Sequence, residues 1–139
     1  MTVDITILQT SMISLGTNPM MHIFFVLVIT DLFTGVGKAL LKKKANSTIG
    51  LNGLIRHSTI MFIVIVLNIY LPIFHLAIYA TGMNIFFSIQ YLGSVIENMG
   101  EIGIKLPSAF LAYFEKLQDV AEDTELNKMK DIFKKDPKK

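Results

Sequence analysis

The residues of this chain that could do chemistry are the few polar groups set inside its most apolar stretches. Asp31 and Lys38 interrupt the run Met20–Leu41, and Asn68, Pro72 and His75 interrupt Thr59–Ala80. Glu97 and Glu101 follow a third run that ends at Ile96. Carboxylates and histidines can move protons or hold metals, and lysines can move protons, but only at the right spacing. His22, His57 and His75 lie far apart with no carboxylate at metal-ligand spacing, which argues against zinc. No serine sits in a nucleophile elbow, and the count of Cys is 0, so no thiolate is available. Gly35-Val36-Gly37-Lys38 falls short of a phosphate loop, which needs glycine at position 32 and serine or threonine at 39; the chain has Leu32 and Ala39. No catalytic residue, metal or cofactor is expected, and the chain is not read as an enzyme.

What remains is polar chemistry between helices. Stepping about 100° per residue sorts these groups onto faces. Asp31, Gly35, Lys38 and Lys42 share one stripe; Asn68, Pro72, His75 and Tyr79 share a second; Gln90, Ser94, Glu97 and Glu101 share a third. Ionisable groups at membrane depth cost several kcal/mol and usually face a bundle interior or water. Asp31, Gly35, Lys38, Asn68, His75, Gln90, Ser94, Glu97 and Glu101 are therefore the candidates for helix packing or pore lining. Asp31 and Lys38 are about 10 Å apart along one helix, so Asp31 needs a partner from another helix, or a proton. Lys38 can snorkel to the surface. Asn68 and His75 suit hydrogen bonds around Pro72 as well as they suit a pore. Gly35 and Ala39 allow close helix approach.

Positioning these stripes requires membrane helices. The 139 residues are 52% hydrophobic and 17% charged, with a mean hydropathy of +0.53, against about 25% charged in ordinary soluble domains. A net charge of +2 argues against nucleic acid as a partner. Roughly 20 apolar residues span a bilayer. Met20–Leu41 and Thr59–Ala80 qualify, and a third crossing over about 80–96 follows a turn at Thr81-Gly82. The expectation is an all-α integral membrane protein: a membrane domain over 1–100 with three spans, and a charged, amphipathic, cytoplasmic helical tail over 101–139. In that tail Pro107 opens a helix carrying Phe110, Leu111, Phe114, Leu117 and Ala121. A second piece groups Leu126, Met129, Ile132 and Phe133 before Pro137. Thr2–Asn18 reads as an interfacial helix, and residues 1–19 lack the basic start and small-residue cleavage site of a secretory signal.

Cations stay cytoplasmic. The first 37 residues hold no Lys or Arg, whereas Lys38, Lys42, Lys43, Lys44 and Arg56 crowd the first loop. The amino terminus is thus expected outside, and the loop and the tail inside. Asn46-Ser47-Thr48 then reads as turn chemistry rather than a glycosylation acceptor.

The same residues resemble a known family. Asp31-Leu32-Phe33-Thr34-Gly35, followed by Lys38-Ala39, is similar to the first-span motif of the toxin-secretion and phage-lysis holins. The likeness continues through Ser47, Gly50, Gly53 and Arg56, resumes at Ser94-Val95-Ile96 and runs through Glu97, Asn98, Gly100 and Gly103, and ends at Leu106-Pro107. It covers roughly Phe25 to Leu117. The first 20 residues and the tail beyond Asp119 match no part of that pattern. The resemblance implies a phage or prophage protein that forms homo-oligomers in the host's cytoplasmic membrane. It implies timed lesions that release an endolysin, or a toxin, as cargo. An antagonist form, with Met12, Met20 or Met21 as internal starts, or a membrane scaffold is the alternative; a small channel or transporter comes third.

Overall fold

A single residue separates the first two helices, α1 (Ile5–Thr17) and α2 (Pro19–Leu41). Asn18 is extended there (φ −77°, ψ 116°), and its side-chain oxygen accepts from the Met20 N–H at 2.9 Å. That bond satisfies one of the donors a helix start leaves free. Pro19 sits where its missing N–H has no helical partner to lose. A computed structural model describes residues 5–43 and 47–134 of the chain. It continues with α3 (Ser47–Ile73), α4 (Ala77–Glu101) and α5 (Ser108–Lys134). No strand occurs among the described residues, in keeping with the all-α expectation.

The middle of the chain departs from the sequence reading in two ways. α3 starts at Ser47, well before Thr59, because a helix continues past the end of its apolar run when polar residues such as Asn52 and Arg56 face outward. Both are exposed. The turn expected at Thr81-Gly82 lies inside α4, and the chain reverses at Phe74–Leu76 instead. Leu76 N–H donates to Leu71 O at 2.8 Å and His75 N–H to Pro72 O at 3.0 Å, the paired bonds of a Schellman helix end. His75 takes the left-handed position there, with φ +60°. Thr59–Ala80 is therefore two pieces, and the third helix is longer than 80–96. α4 ends by the same device, with Gly103 at φ +89° and Ile104 N–H donating to Met99 O at 2.9 Å.

Packing follows a heptad-like rhythm. On α2 the residues Met21, Phe24, Val28, Asp31, Gly35 and Lys38 recur at alternating steps of three and four, and on α4 Asn84, Phe87, Tyr91, Ser94, Asn98 and Glu101 do the same. Such a rhythm keeps one stripe on the partner helix. α2 and α4 are the most extensively packed pair. They run parallel. Phe24 meets Tyr91 edge-on with ring centroids 5.7 Å apart, and Asp31 meets Asn98. Both pairs share an offset of 67 positions. α3 runs antiparallel to α4 and also carries most of the packing of α1. The apolar core joins Met21, Phe24, Val28, Val64 and Tyr91, with Leu15, Ile60, Met61 and Phe87 packed around them.

Pro19–Leu41 and Gly50–Ile73 are each long and apolar enough to cross a membrane. Their outer faces expose Ile23, Val26, Phe33, Phe62 and Ile63. Residues Met1–Ile104 form one compact unit and Lys105–Lys139 another. The second holds α5, a continuous helix in place of the two pieces expected. Pro107 O accepts from the N–H groups of Phe110 and Leu111 at its start. Leu126, Met129, Ile132 and Phe133 lie outside the described side chains, and Pro137 lies outside the described residues.

Candidate functional site

The polar groups of the bundle collect in three layers along the α2–α4 seam and the neighbouring face of α3. The first layer is an amide pair. Asn68 of α3 donates to Asn84 Oδ1 at 2.8 Å, and Asn84 of α4 donates back to Asn68 Oδ1 at 3.0 Å. The second Asn68 amide hydrogen goes to Val64 O at 2.8 Å. Asn84 is 1% exposed, so these bonds answer donors and acceptors that would otherwise stand unpaired in an apolar core, at about 1–3 kcal/mol each.

The second layer surrounds Asp31, which is 4% exposed. Asn98 Nδ2 donates to Asp31 Oδ1 at 3.0 Å and reaches Thr34 Oγ1 at 3.3 Å. From α3, His57 Nε2 stands 3.8 Å from Asp31 Oδ2, while His57 Nδ1 is 3.1 Å from the Tyr91 hydroxyl. One carboxylate is thus met by all three long helices of the unit. A Cβ added to Gly35 would lie 3.7 Å from Asn98 Nδ2, so the small residue at 35 leaves room for Asn98 beside Asp31.

The third layer lies at the carboxyl ends of α2 and α4. Glu101 accepts from both Lys42 and Lys38, the latter at 3.4 Å. The hydrogen bond from Lys42, then the one from Lys38, holds the Glu101 carboxyl below its ordinary range. All three side chains are solvent-accessible, so this clamp is open to screening by salt.

The candidate stripes therefore fare unevenly. Asp31, Gly35 and Lys38 stand together on the seam facing α4, and Glu101 and Ser94 belong to the facing stripe. Asn68 is buried, but His75 is not beside it: α3 ends before His75, which is exposed in the turn, and Tyr79 belongs to α4. Gln90 and Glu97 are exposed at the flank of that α4 stripe. Sequence reasoning gave no role to His57, Asn84 or Tyr91, and it had Asn98 only as a family position. The recurrence of Asn84, Tyr91 and Asn98 every seven residues was the available signal. Among the described residues no group of three or more His, Cys, Asp or Glu could hold a metal ion.

Comparison with known proteins adds two likenesses. A family model described as the bacteriophage holin family matches residues 9–119. The uncharacterized protein YqxH of Bacillus subtilis (strain 168) is 32% identical over 109 residues, covering 78% of this chain and 76% of its own length. No solved structure matches.

Proposed function

The chain belongs to the bacteriophage holin family, a family of membrane proteins and not of enzymes, and on that premise we propose that it assembles in the host's cytoplasmic membrane and opens lesions there. Those lesions release an endolysin, or a toxin, at a set time. The observation that carries this reading is the Asp31 layer. A carboxylate, an imidazole, a phenol and an amide are drawn together between α2, α3 and α4, inside a unit whose α2 and α3 outer faces are largely apolar. In that closed state the outer faces of α2 and α3 meet lipid with mostly apolar side chains. If the same helices part, the same groups become the wettable wall of a hole.

The reading has three crossings. α4 runs beside α2 and opposite to α3, and its 25 residues extend about 37 Å at 1.5 Å per residue, enough to span. The cations at Lys38, Lys42, Lys43, Arg56 and Lys105 put the α2–α3 connection and the carboxyl end of α4 in the cytoplasm. The Phe74–Leu76 turn and the amino terminus are outside.

The test is induced expression in a bacterium carrying a cytosolic reporter enzyme, with membrane potential and reporter release followed together. A holin gives normal growth, then abrupt depolarisation with reporter in the medium. Depolarisation with the reporter retained means a small channel, and continued growth with the protein in the membrane means an antagonist or a scaffold. Asp31→Ala is expected to shift the moment of release; an unchanged schedule would remove that layer from the timing.

A further inference from the structure

The packing just described leaves some charges unused. Arg56 of α3 and Glu97 of α4 are both exposed, and among the described residues neither has an ion-pair partner. They are the immediate chain neighbours of His57 and Asn98, and both of those close on Asp31. Arg56 and Glu97 therefore lie within about one helical turn, roughly 5 Å, of a common depth. Glu97 shares its face of α4 with Gln90, seven positions earlier. Gln90 is also exposed, stands level with Ile23 by the α2–α4 offset, and makes no hydrogen bond among the described residues.

In lipid this outer face would present an amide and a carboxylate to hydrocarbon, which is costly. Polar side chains at such positions hold transmembrane helices together. We infer that the Gln90–Glu97 face of α4 docks the Arg56 edge of α3 in a second copy of this chain, with Glu97 paired to Arg56 of the neighbour. This rests on the reading that the chain assembles in the membrane. Copies inserted in one orientation are related by rotation about the membrane normal, which leaves every atom at its depth. Only groups of equal depth can then meet across copies, and these two satisfy that condition with opposite sign. The contact is head-to-tail, since each copy offers one acid and one base on different helices. Such contacts close into rings or continue as open arrays.

The chain has 0 Cys, so single cysteines report cleanly. Full-length Arg56→Cys carrying one tag and Glu97→Cys carrying another are co-reconstituted into phosphatidylethanolamine–phosphatidylglycerol vesicles and oxidised. The expected product is a mixed disulfide dimer bearing both tags, several-fold more abundant than either like-with-like dimer. Alongside, Arg56→Glu and Glu97→Arg are each expected to lose the ladder of oligomers seen with a lysine-reactive cross-linker, and the doubly exchanged chain to regain it. Oligomers that persist in both single exchanges without a mixed disulfide overturn the interface and leave assembly standing. Absence of oligomers in the unaltered chain overturns assembly, and the interface with it.

Discussion

At the scale of single residues the Asn68–Asn84 pair and the Glu101 clamp make opposite predictions. The amide pair is buried and reciprocal, so removing one partner strands the other. Asn84→Leu is expected to destabilise the bundle by about 1 kcal/mol, near the upper part of the range measured for hydrogen bonds between membrane helices. Asn68→Leu together with Asn84→Leu should cost less than the two singles added, because no orphaned amide remains. Unfolding in mixed micelles measures both. The clamp is exposed, and its effect is small and screened. Glu101 has a lowered pKa, so its contribution is present above the ordinary glutamate range and is lost as pH falls through its own depressed value. The unaltered chain should exceed Glu101→Gln in stability at neutral pH and low salt, and that margin should close on acidification and in high salt. The need of Asp31 for a partner on another helix was legible from its depth alone. The identity of that partner was not, because it depends on the register of helices far apart in sequence.

At the scale of elements the helix ends decide what sequence could and could not reveal. α2 was legible almost to the residue: Asn18-Pro19 announces its start, and the lysines after Leu41 announce its end. The α3–α4 boundary was hidden because the apolar run continues through Pro72-Ile73-Phe74, and because a histidine holds the left-handed position that glycine usually marks. Thr81-Gly82 has the composition of a turn, yet helical bonds and packing on α2 and α3 keep it inside α4. Left-handed backbone costs an ordinary residue about 1–2 kcal/mol. His75→Gly is therefore expected to raise stability by up to about 1 kcal/mol. Gly103→Val, which places a β-branched side chain at φ +89°, is expected to lower it by at least that much. Gly35→Ala should be tolerated, since the new Cβ would lie 3.7 Å from Asn98 Nδ2. Gly35→Leu should push α2 from α4 and weaken the Asp31–Asn98 bond. Thermal unfolding of these variants ranks them.

At the scale of the whole molecule, three helices joined by short connections put alternate ends on alternate sides. A membrane-impermeant thiol reagent should label a cysteine placed at His75 from outside and one placed at Lys43 or Lys105 only from inside. Labelling of the His75 and Lys105 positions from the same side, with Lys43 reached only from the other, would leave α4 lying on the bilayer instead of crossing it. The tightness of the Phe74–Leu76 turn has a mechanical consequence. α3 and α4 cannot separate at that end, so they behave as the arms of tweezers pivoted at His75. Tyr91 lies about 24 Å down its arm at 1.5 Å per residue, so opening by about 10° parts the arms there by about 4 Å. That stretch is enough to break the His57–Tyr91 bond and admit a file of water beside Asp31, while the amide pair nearer the pivot moves about half as far.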